Sequence, residues 1–255
     1  MKHQLKTRQD WRQRWMLLIQ KIKRVQTIEE QQQLMTSLTH PAKPLVLAFA
    51  NAHAMNSIVS SVPFFDALRS ADIVLRDGSG MATLYKLFSL PPGLNLNGTD
   101  LIPQLIKLFN GRCIALFGTH NPYLQMGLKV VSQNLSPDSS CISAHGFHEV
   151  AAYTDLAVKH QPALIVLGMG MPRQEEVAAE LRSTLTFPCL IICGGAIIDF
   201  LAGKTPRAPL WLRNAGLEWV FRLLMEPRRL FQRYVIGNPL FLTRALRLAS
   251  LTRLS

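Results

Sequence analysis

The stretch Val74-Leu75-Arg76-Asp77-Gly78-Ser79-Gly80-Met81 joins the end of an apolar run to the start of a segment with helical spacing. Residues 73–75 predict a buried strand, and apolar residues recur along 79–87 as they do in a helix. Asp77 therefore lies where a strand's carboxyl end turns into a helix, the edge at which ligands bind in open α/β sheets. Two interpretations follow. The carboxylate caps the helix, or it acts as a general base.

The same alternation of apolar run and turn recurs through the middle of the chain. Six runs predict strands, at residues 45–49, 72–75, 114–117, 141–144, 164–167 and 190–193. Helix-length segments separate them, as in parallel sheets that are covered on both faces. We therefore predict an α/β protein with a Rossmann-like, mostly parallel sheet, helices on both faces and a helical C-terminal appendage.

Basic residues are concentrated at the two ends of the chain. Residues 1–35 carry 8 basic and 3 acidic side chains, residues 204–255 carry 10 and 2, and residues 36–203 carry 10 and 11. This pattern predicts an N-terminal helical segment at 1–40, an α/β core at 41–203 and a basic helical appendage at 204–255. Basic ends around a neutral core suit an anionic membrane surface or a phosphate-bearing ligand.

Two apolar patterns in these ends allow more than one interpretation. Trp11, Trp15 and Ile22 form a patch at helical spacing that either packs on the core or lies on a membrane. In the appendage, Leu242, Ala245, Leu246 and Ala249 recur at the spacing of an interfacial helix, and the alternative is a helix packed on the sheet. A nucleic-acid arm is disfavoured because the basic residues alternate with aliphatic ones at helical spacing.

Several classes of site are disfavoured by what the sequence lacks. It has neither G-x-G-x-x-G nor a Walker A motif, so we predict no NAD chemistry, no ATP hydrolysis and no cofactor. The four cysteines lie in or beside apolar runs, which predicts buried free thiols. A zinc site is disfavoured because only Cys189 and Cys193 are close in sequence and no further ligand lies near them. With no apolar leader and no spanning run, we expect a cytoplasmic protein, peripheral on the inner face of the plasma membrane.

A set of ordered motifs resembles a known family. The motifs are Asp77-Gly78, Gly98-Thr99-Asp100-Leu101, Gly168-Met169-Gly170-Met171-Pro172-Arg173-Gln174-Glu175, Gly194-Gly195 with Asp199, Arg207-Ala208-Pro209, Gly216-Leu217-Glu218-Trp219 and the run from Arg222 to Arg229. In this order they resemble the WecG/TagA/CpsF family of bacterial glycosyltransferases. The resemblance implies metal-independent, inverting transfer of a sugar from a UDP-sugar to a polyprenyl-diphosphate-linked acceptor, in the synthesis of cell-surface polysaccharide. It makes residues 41–203 the core that binds the nucleotide sugar.

The resemblance also implies roles for individual residues. Asp77 matches the family's proposed base, and Arg222 and Arg229 match arginines that take up the charge of the departing diphosphate. No Asp-x-Asp pair is present to hold a metal on that diphosphate, and arginine binds phosphate oxygens well. A third arginine position of the family corresponds to Gln232, with Arg233 beside it. Deleting residues from about 208 onward is therefore predicted to leave a folded core with little activity.

The remaining candidates are assigned to substrate binding. They are Asn51, Asn97, Asp100, Gly118, Gly168, Gln174, Glu175, Gly195, Asp199, Arg207 and Arg233. Structural alternatives stand beside them: Asn51 could only close a turn, Gln174 and Glu175 could form a first helical turn, and Asp199 could cap a helix. The histidines, His53 among them, are interpreted as structural.

Three departures from the family pattern leave the donor sugar open. Phe49 and Asn95 replace a threonine and an arginine, and Gln232 replaces the third arginine. N-acetylmannosamine, its uronic acid, glucose and glucuronic acid all remain candidates, as does an inactive relative. The expected partners are a UDP-sugar, a lipid-diphosphate-linked sugar acceptor and an anionic membrane surface, with no nucleic acid; a homo-oligomer is left open. The rival hypothesis is a non-enzymatic basic protein that binds anionic lipid or nucleic acid.

Overall fold

A seven-stranded parallel sheet forms the centre of the computed structural model, which describes residues 10–252. In spatial order the strands are β1 (Ile22–Lys23), β3 (Ile73–Arg76), β2 (Leu45–Ala50), β7 (Leu190–Cys193), β6 (Leu164–Gly168), β4 (Ile114–Gly118) and β5 (Cys141–Ala144). Each neighbouring pair is parallel. The predicted Rossmann-like α/β class is confirmed. Residues 1–9 and 253–255, parts of the two basic end segments, lie outside the described residues.

Helices follow nearly every strand, and further helices complete the C-terminal region. They are α1 (Trp11–Lys21), α2 (Ile28–Leu38), α3 (Ala52–Ser60), α4 (Val62–Ser70), α5 (Ser79–Leu87), α6 (Gly98–Leu108), α7 (Tyr123–Val130), α8 (Val150–His160), α9 (Arg173–Thr184), α10 (Ile197–Leu201), α11 (Leu210–Asn214), α12 (Glu218–Met225), α13 (Pro227–Phe231) and α14 (Gly237–Thr252). A π-helical turn at Val131–Leu135 follows α7, and a second one at Gln232–Ile236 joins α13 to α14.

The two faces of the sheet carry separate apolar cores. Along β2, Val46 and Ala48 point to one face and Leu47 and Phe49 to the other, as the two-residue period of a strand requires. Helices α1, α3, α4, α5, α8, α9 and α14 cover the first face, and α2, α6, α7 and α10 cover the second. Helices on both faces explain why the strands are continuous apolar runs.

The N-terminal patch packs on the core. Trp15 and Leu18 are fully buried, and the Trp15 indole N–H donates a hydrogen bond to the carbonyl of Met55. Ile22 belongs to strand β1 and pairs with Val74 of β3. The sequence did not predict β1, because two residues followed by polar ones are too short to show an alternating pattern.

Helix α14 also packs on the core, against α3 and α5. Phe241, Ala245 and Leu248 are buried, and the Phe241 ring lies 5.5 Å from that of Trp15. Removing the C-terminal residues would uncover this part of the core. The prediction that a chain cut at about residue 208 remains well folded therefore needs correction: we expect such a chain to be destabilised.

The apolar face predicted for α14 is divided by this packing. Ala245 and Ala249 are buried, whereas Leu242 and Leu246 are 40% and 55% exposed. Arg244 lies off that face, as predicted, and donates a hydrogen bond to the side chain of Asn56 in α3. Only part of the face is therefore available to a membrane.

Within residues 10–252, no helix combines the length and the apolar character needed to cross a bilayer.

Candidate active site

A crevice opens at the carboxyl edge of the sheet, between the neighbouring strands β2 and β7. Helix α3 leaves β2 toward one face, and α10 leaves β7 toward the other, so the two connections diverge. Such a divergence is where open α/β sheets bind their ligands. The resulting cleft has a volume of about 490 Å³. We call it the glycine-lined cleft, because Gly98, Gly146, Gly168, Gly170, Gly194 and Gly195 all contribute to its wall.

Nine of the residues predicted from the sequence line this cleft. They are Asn51, Asp77, Gly168, Gln174, Gly195, Asp199, Arg222, Arg229 and Arg233. Asn97 lines a neighbouring cleft, and Asp100, Gly118, Glu175 and Arg207 line neither of the two. The first group combines carboxylates and guanidinium groups from distant parts of the chain. The residues at strand ends come together because parallel strands present their carboxyl ends at one edge, and the C-terminal helices bring the three arginines to the same edge.

The neighbouring cleft lies between the core and the C-terminal helices and has a volume of about 310 Å³. We call it the appendage cleft. It shares six residues with the glycine-lined cleft: Asn51, His53, Asp77, Thr99, Arg222 and Arg233. Asp77 therefore stands where the two clefts meet, accessible from both.

Asp77 is held at the end of β2 by one hydrogen bond to its carboxylate and one from its backbone. The side-chain amide of Asn51 donates to Asp77 Oδ2 at 3.1 Å, and the Asp77 backbone N–H donates to the carbonyl of Ala50 at 2.9 Å. The residue that caps α5 is Gly78, with φ of +86°. The interpretation of Asp77 as a helix cap is therefore wrong. The oxygen of Asn51, in turn, caps α3 by accepting from the N–H of Ala54.

A buried arginine fixes the turn that presents Asp77. The Arg76 guanidinium donates to the carbonyls of Gly78, Pro92 and Gly93, at 3.0, 3.0 and 2.8 Å. Burial lowers the pKa of Arg76, and the neighbouring Asp77 opposes that shift. Three carbonyl partners on two segments make this turn rigid, which is what a precisely oriented catalytic group requires.

Arginines of the C-terminal helices form the opposite wall. Arg222 lies over the ring of Phe200 at 5.3 Å, and Arg229 donates a hydrogen bond to Glu226 at 2.7 Å. Among residues 10–252, Nε of Arg222 and Nε of Arg233 are buried and have no hydrogen-bond partner. Buried donors are ordinarily paired, so the unpaired N–H groups of these arginines suit the binding of an anion.

The loop after β7 is positioned by a chain of side-chain hydrogen bonds. Gln174 is buried, its oxygen accepts the N–H of Gly195 at 2.8 Å, and its amide donates to Glu175 Oε1 at 2.8 Å. Both residues are in the first turns of α9, as the structural alternative for them stated. Glu175 therefore acts on the cleft through Gln174 and does not line it.

Glu175 is the most strongly perturbed carboxyl near the cleft. Its side chain is 2% exposed, and Oε2 has no hydrogen-bond partner within the described part of the chain. Burial raises the pKa of Glu175 to about 8, partly offset by the hydrogen bond from Gln174. The carboxyl group is therefore largely protonated at neutral pH in the folded protein.

This protonation makes stability depend on pH. The pKa of Glu175 in the folded state lies above its ordinary value of 4.5, so the folded state binds the proton more tightly between pH 4.5 and 8. Relative to a Glu175→Gln variant, the wild-type free energy of unfolding should fall by on the order of 3 kcal/mol as pH rises through that window. Urea unfolding at pH 5 and pH 8.5 measures the difference. Glu176→Gln, at an exposed neighbouring position, is the control: it keeps Glu175 and should lose stability with rising pH as wild type does.

Asp199 is fixed on the wall of the glycine-lined cleft. The Thr119 hydroxyl donates to Asp199 Oδ1 at 2.6 Å, and Lys204 Nζ lies 3.3 Å from the same oxygen. Helix α10 is capped by Ala196, so Asp199 is not its cap. Thr119 and Lys204 also line the cleft and were not predicted.

Asp100 and Arg207 tie the appendage to the core. Arg207 Nη1 donates to Asp100 Oδ1 at 2.9 Å, Arg207 Nε lies 3.1 Å from Glu218, and Arg213 lies 3.6 Å from Asp100. Asn97, which caps α6, also donates to Asp100. These groups fix the position of the appendage relative to the core on either side of the site.

Two glycines meet different requirements. A Cβ on Gly118 would lie 2.3 Å from the carbonyl oxygen of Gly168, so only glycine allows β4 and β6 to approach here. Gly195 has φ of +62° and open space around its Cα, so its backbone faces the cleft directly. Gly118 is therefore a packing residue, and Gly195 remains a ligand-contact candidate.

The four cysteines are free thiols. Between residues 10 and 252, no three His, Cys, Asp or Glu side chains come together in a way that could hold a metal ion.

Comparison with known proteins identifies the relatives of this chain. A sequence model of the WecG/TagA/CpsF glycosyl transferase family matches residues 16–254. The chain belongs to this family. It is similar to an N-acetylglucosaminyldiphosphoundecaprenol N-acetyl-beta-D-mannosaminyltransferase of Staphylococcus aureus strain MW2, with 24% identity over 73% of this chain and 74% of the relative. An enzyme of the same name from Bacillus subtilis strain 168 is 25% identical, over 72% and 73%.

The departure from the WecG/TagA/CpsF pattern at Gln232 is offset one residue later. Gln232 is exposed and lines neither cleft, whereas Arg233 lines both. Arg233 lies four residues after Arg229, which also lines the glycine-lined cleft, and this spacing puts both on one side of the helical segment. The π-helical turn Gln232–Ile236 begins between them. Burial lowers the pKa of Arg233; Tyr234 and Asp77 oppose the shift, and Arg222 and Arg229 add to it. The guanidinium therefore lies within electrostatic range of Asp77.

The other two departures have visible structural roles. Asn95 lines the appendage cleft, and its side-chain oxygen accepts the N–H of Gly78 at 2.9 Å, which braces the turn beside Asp77. Phe49 is 4% exposed, lines the glycine-lined cleft and packs against Gly98. An amide and a phenyl ring thus stand where the family resemblance predicts an arginine and a threonine.

His53 is the residue that sequence reasoning missed most clearly. It lines both clefts, and burial together with the nearby Arg233 lowers its pKa to about 4. The imidazole is therefore neutral at pH 7. His53 lies two positions after Asn51, so the argument from strand ends that selected Asn51 would also have selected it.

Proposed function

We propose that this protein is an inverting glycosyltransferase that transfers a sugar from a UDP-sugar to a polyprenyl-diphosphate-linked acceptor, in cell-surface polysaccharide synthesis. One observation carries the proposal: a carboxylate, Asp77, stands at the junction of two clefts that are also lined by Arg222 and Arg233, whose Nε atoms have no hydrogen-bond partner within residues 10–252. Family membership and the names of the two relatives support the reaction class.

The glycine-lined cleft suits the UDP part of the donor. Backbone close to open space at Gly170 and Gly195 allows phosphate or sugar groups to approach the chain. Arg222, Arg229 and Arg233 supply positive charge for a diphosphate. We assign the uridine to the far end, where Asp199 could accept a hydrogen bond from the base.

The chemistry places a base and a charge stabiliser on opposite sides of the anomeric carbon. The Asp77 carboxylate takes the proton from the acceptor hydroxyl as that oxygen forms its bond to the anomeric carbon. The bond from this carbon to the UDP oxygen breaks on the opposite side, which inverts the configuration. Arginine side chains then neutralise the charge that develops on the diphosphate, without a bound metal.

The donor sugar is proposed from the relatives. Their names give N-acetylmannosaminyl transfer to N-acetylglucosaminyldiphosphoundecaprenol. UDP-N-acetylmannosamine is therefore the first donor to test, with its uronic acid, UDP-glucose and UDP-glucuronic acid as alternatives. Phe49 and Asn95 change the hydrogen-bonding groups near the sugar, and such changes alter which sugar an enzyme accepts.

We further propose that residues 204–255 rest on the cytoplasmic face of an anionic membrane and complete the active site. Of the 18 large apolar side chains that are exposed in the described chain, 12 lie between residues 210 and 251. Trp211 and Leu224 are 68% and 74% exposed. Apolar side chains beside arginines are typical of interfacial helices.

The test is release of UDP from the panel of donors in the presence of EDTA and a short-chain lipid-diphosphate acceptor. We expect release that requires the acceptor and persists without Mg²⁺. The rival hypothesis of a basic binding protein gives a different result: no turnover, and thermal stabilisation by anionic vesicles or oligonucleotides but not by UDP.

A further inference from the structure

The appendage cleft is a second site with its own chemistry. Apart from Asp77, its core wall presents uncharged polar side chains, among them Ser79, Thr83 and Asn97, and its opposite wall carries the rings of Trp219 and Tyr234. These rings lie 5.9 Å apart, with their planes 58° from parallel. An aromatic wall facing hydroxyl and amide groups fits a carbohydrate, whose C–H faces pack on rings and whose hydroxyl groups bind polar side chains.

We infer that the appendage cleft binds the sugar of the lipid-linked acceptor, with the attacking hydroxyl directed at Asp77. This inference rests on the proposed function and assigns one subsite within it. The acceptor hydroxyl must attack the anomeric carbon from the side opposite the departing UDP. The acceptor and the donor therefore approach Asp77 from different directions. Asp77 is accessible from both clefts, and the glycine-lined cleft is the one rich in backbone and arginine groups for a nucleotide diphosphate.

The exit of the appendage cleft suits the lipid part of the acceptor. Leu242 lines the cleft and is 40% exposed, and Leu246, one turn further along α14, is 55% exposed. Arg213 lines this cleft and not the glycine-lined one, so its guanidinium can meet the acceptor's diphosphate. The sugar, the diphosphate and the chain can therefore be accommodated in sequence, from Asp77 outward along α14.

The first test fills the cleft without touching Asp77. Thr83 is exposed on α5, so a tryptophan there adds bulk to the cleft and leaves the core intact. Thr83→Trp should raise the KM for a short-chain polyprenyl-diphosphate acceptor about tenfold or more and leave the Kd for UDP unchanged. Lys86→Trp is the matched control, with the same bulk on an exposed position of the same helix outside both clefts, and should behave as wild type.

The second test removes the aromatic wall. Trp219→Ala should raise the acceptor KM, and Trp219→Phe should restore most of the affinity, because phenylalanine keeps an aromatic face in the cleft. Direct binding of the acceptor in the presence of UDP, without turnover, gives the same comparison independently of kcat.

The outcomes separate the inference from the proposed function. If wild type transfers sugar and Thr83→Trp keeps the wild-type acceptor KM, the subsite assignment is wrong while the function stands. An equal loss in Lys86→Trp would also overturn it. If wild type binds UDP yet neither binds the acceptor nor transfers sugar, the proposed function fails, and the subsite fails with it.

Discussion

Replacing Asp77 by asparagine should reduce the rate of sugar transfer by ~10²–10⁴-fold, the usual contribution of a positioned general base. The asparagine oxygen can still accept the hydrogen bond that Asn51 donates to the native carboxylate, so the turn should keep its geometry. UDP affinity should stay close to the wild-type value. Single-turnover transfer and calorimetric titration with UDP measure the two quantities separately.

Two further variants test whether the loss is specific to Asp77. Asp66→Asn, on the exposed side of α4, should behave as wild type. His53→Gln should cost less than Asp77→Asn, because a proton accepted by the imidazole would create a cation beside Arg233. A larger loss from His53→Gln than from Asp77→Asn would move the proton acceptor to the histidine.

The second large effect is expected at Arg233. Arg233→Gln should lower transfer by ~10²–10³-fold, as removal of a charge-stabilising donor does in other enzymes. Gln232→Ala should have no effect, because Gln232 is exposed and lines neither cleft. Initial rates at saturating donor, compared across the variants, measure the difference.

Exchanging the two residues provides the sharper comparison. In the double variant Gln232→Arg/Arg233→Gln the arginine moves to the position that the family resemblance predicts, but residue 233 is still the one that lines both clefts. We expect this variant to remain as inactive as Arg233→Gln. Recovery of wild-type activity would mean that an arginine at position 232 reaches the site as well as one at position 233.

Much of the core could be predicted because buried parallel strands have a strong sequence signal. All six predicted runs overlap strands of the sheet, and the polar residues at their ends, Asn51 and Asp77 among them, do lie in one crevice. The family motifs gave the same residues independently. Local patterns therefore identified both the fold and the carboxylate at its centre.

What could not be predicted depends on tertiary contacts. Asp100 and Arg207 belong to motifs but bind each other, and no spacing in the sequence reveals that pairing. Packing of α14 on the core was one of two alternatives that its apolar face left open. Contacts with distant segments decide between them, since Phe241 lies against Trp15 and α14 packs on α3.

The place of Arg233 could be predicted from spacing, because Arg229 and Arg233 are four residues apart and share one side of a helix. The π-helical turn that begins at Gln232 had no signal in the sequence. The existence of two clefts that meet at Asp77 likewise requires coordinates, because one is formed between the core and a segment more than 130 residues later in the chain.

The measurement that tests the central claim most directly is the anomeric configuration of the product. An acceptor in the appendage cleft and a leaving group in the glycine-lined cleft require the hydroxyl to attack the anomeric carbon from the side opposite the departing UDP, so an α-linked UDP-sugar should give a β-linked product. The one-bond C1–H1 coupling of the purified glycolipid, read by NMR, distinguishes the two. A β linkage is the predicted result, and an α linkage would contradict the roles given to Asp77 and the arginine wall.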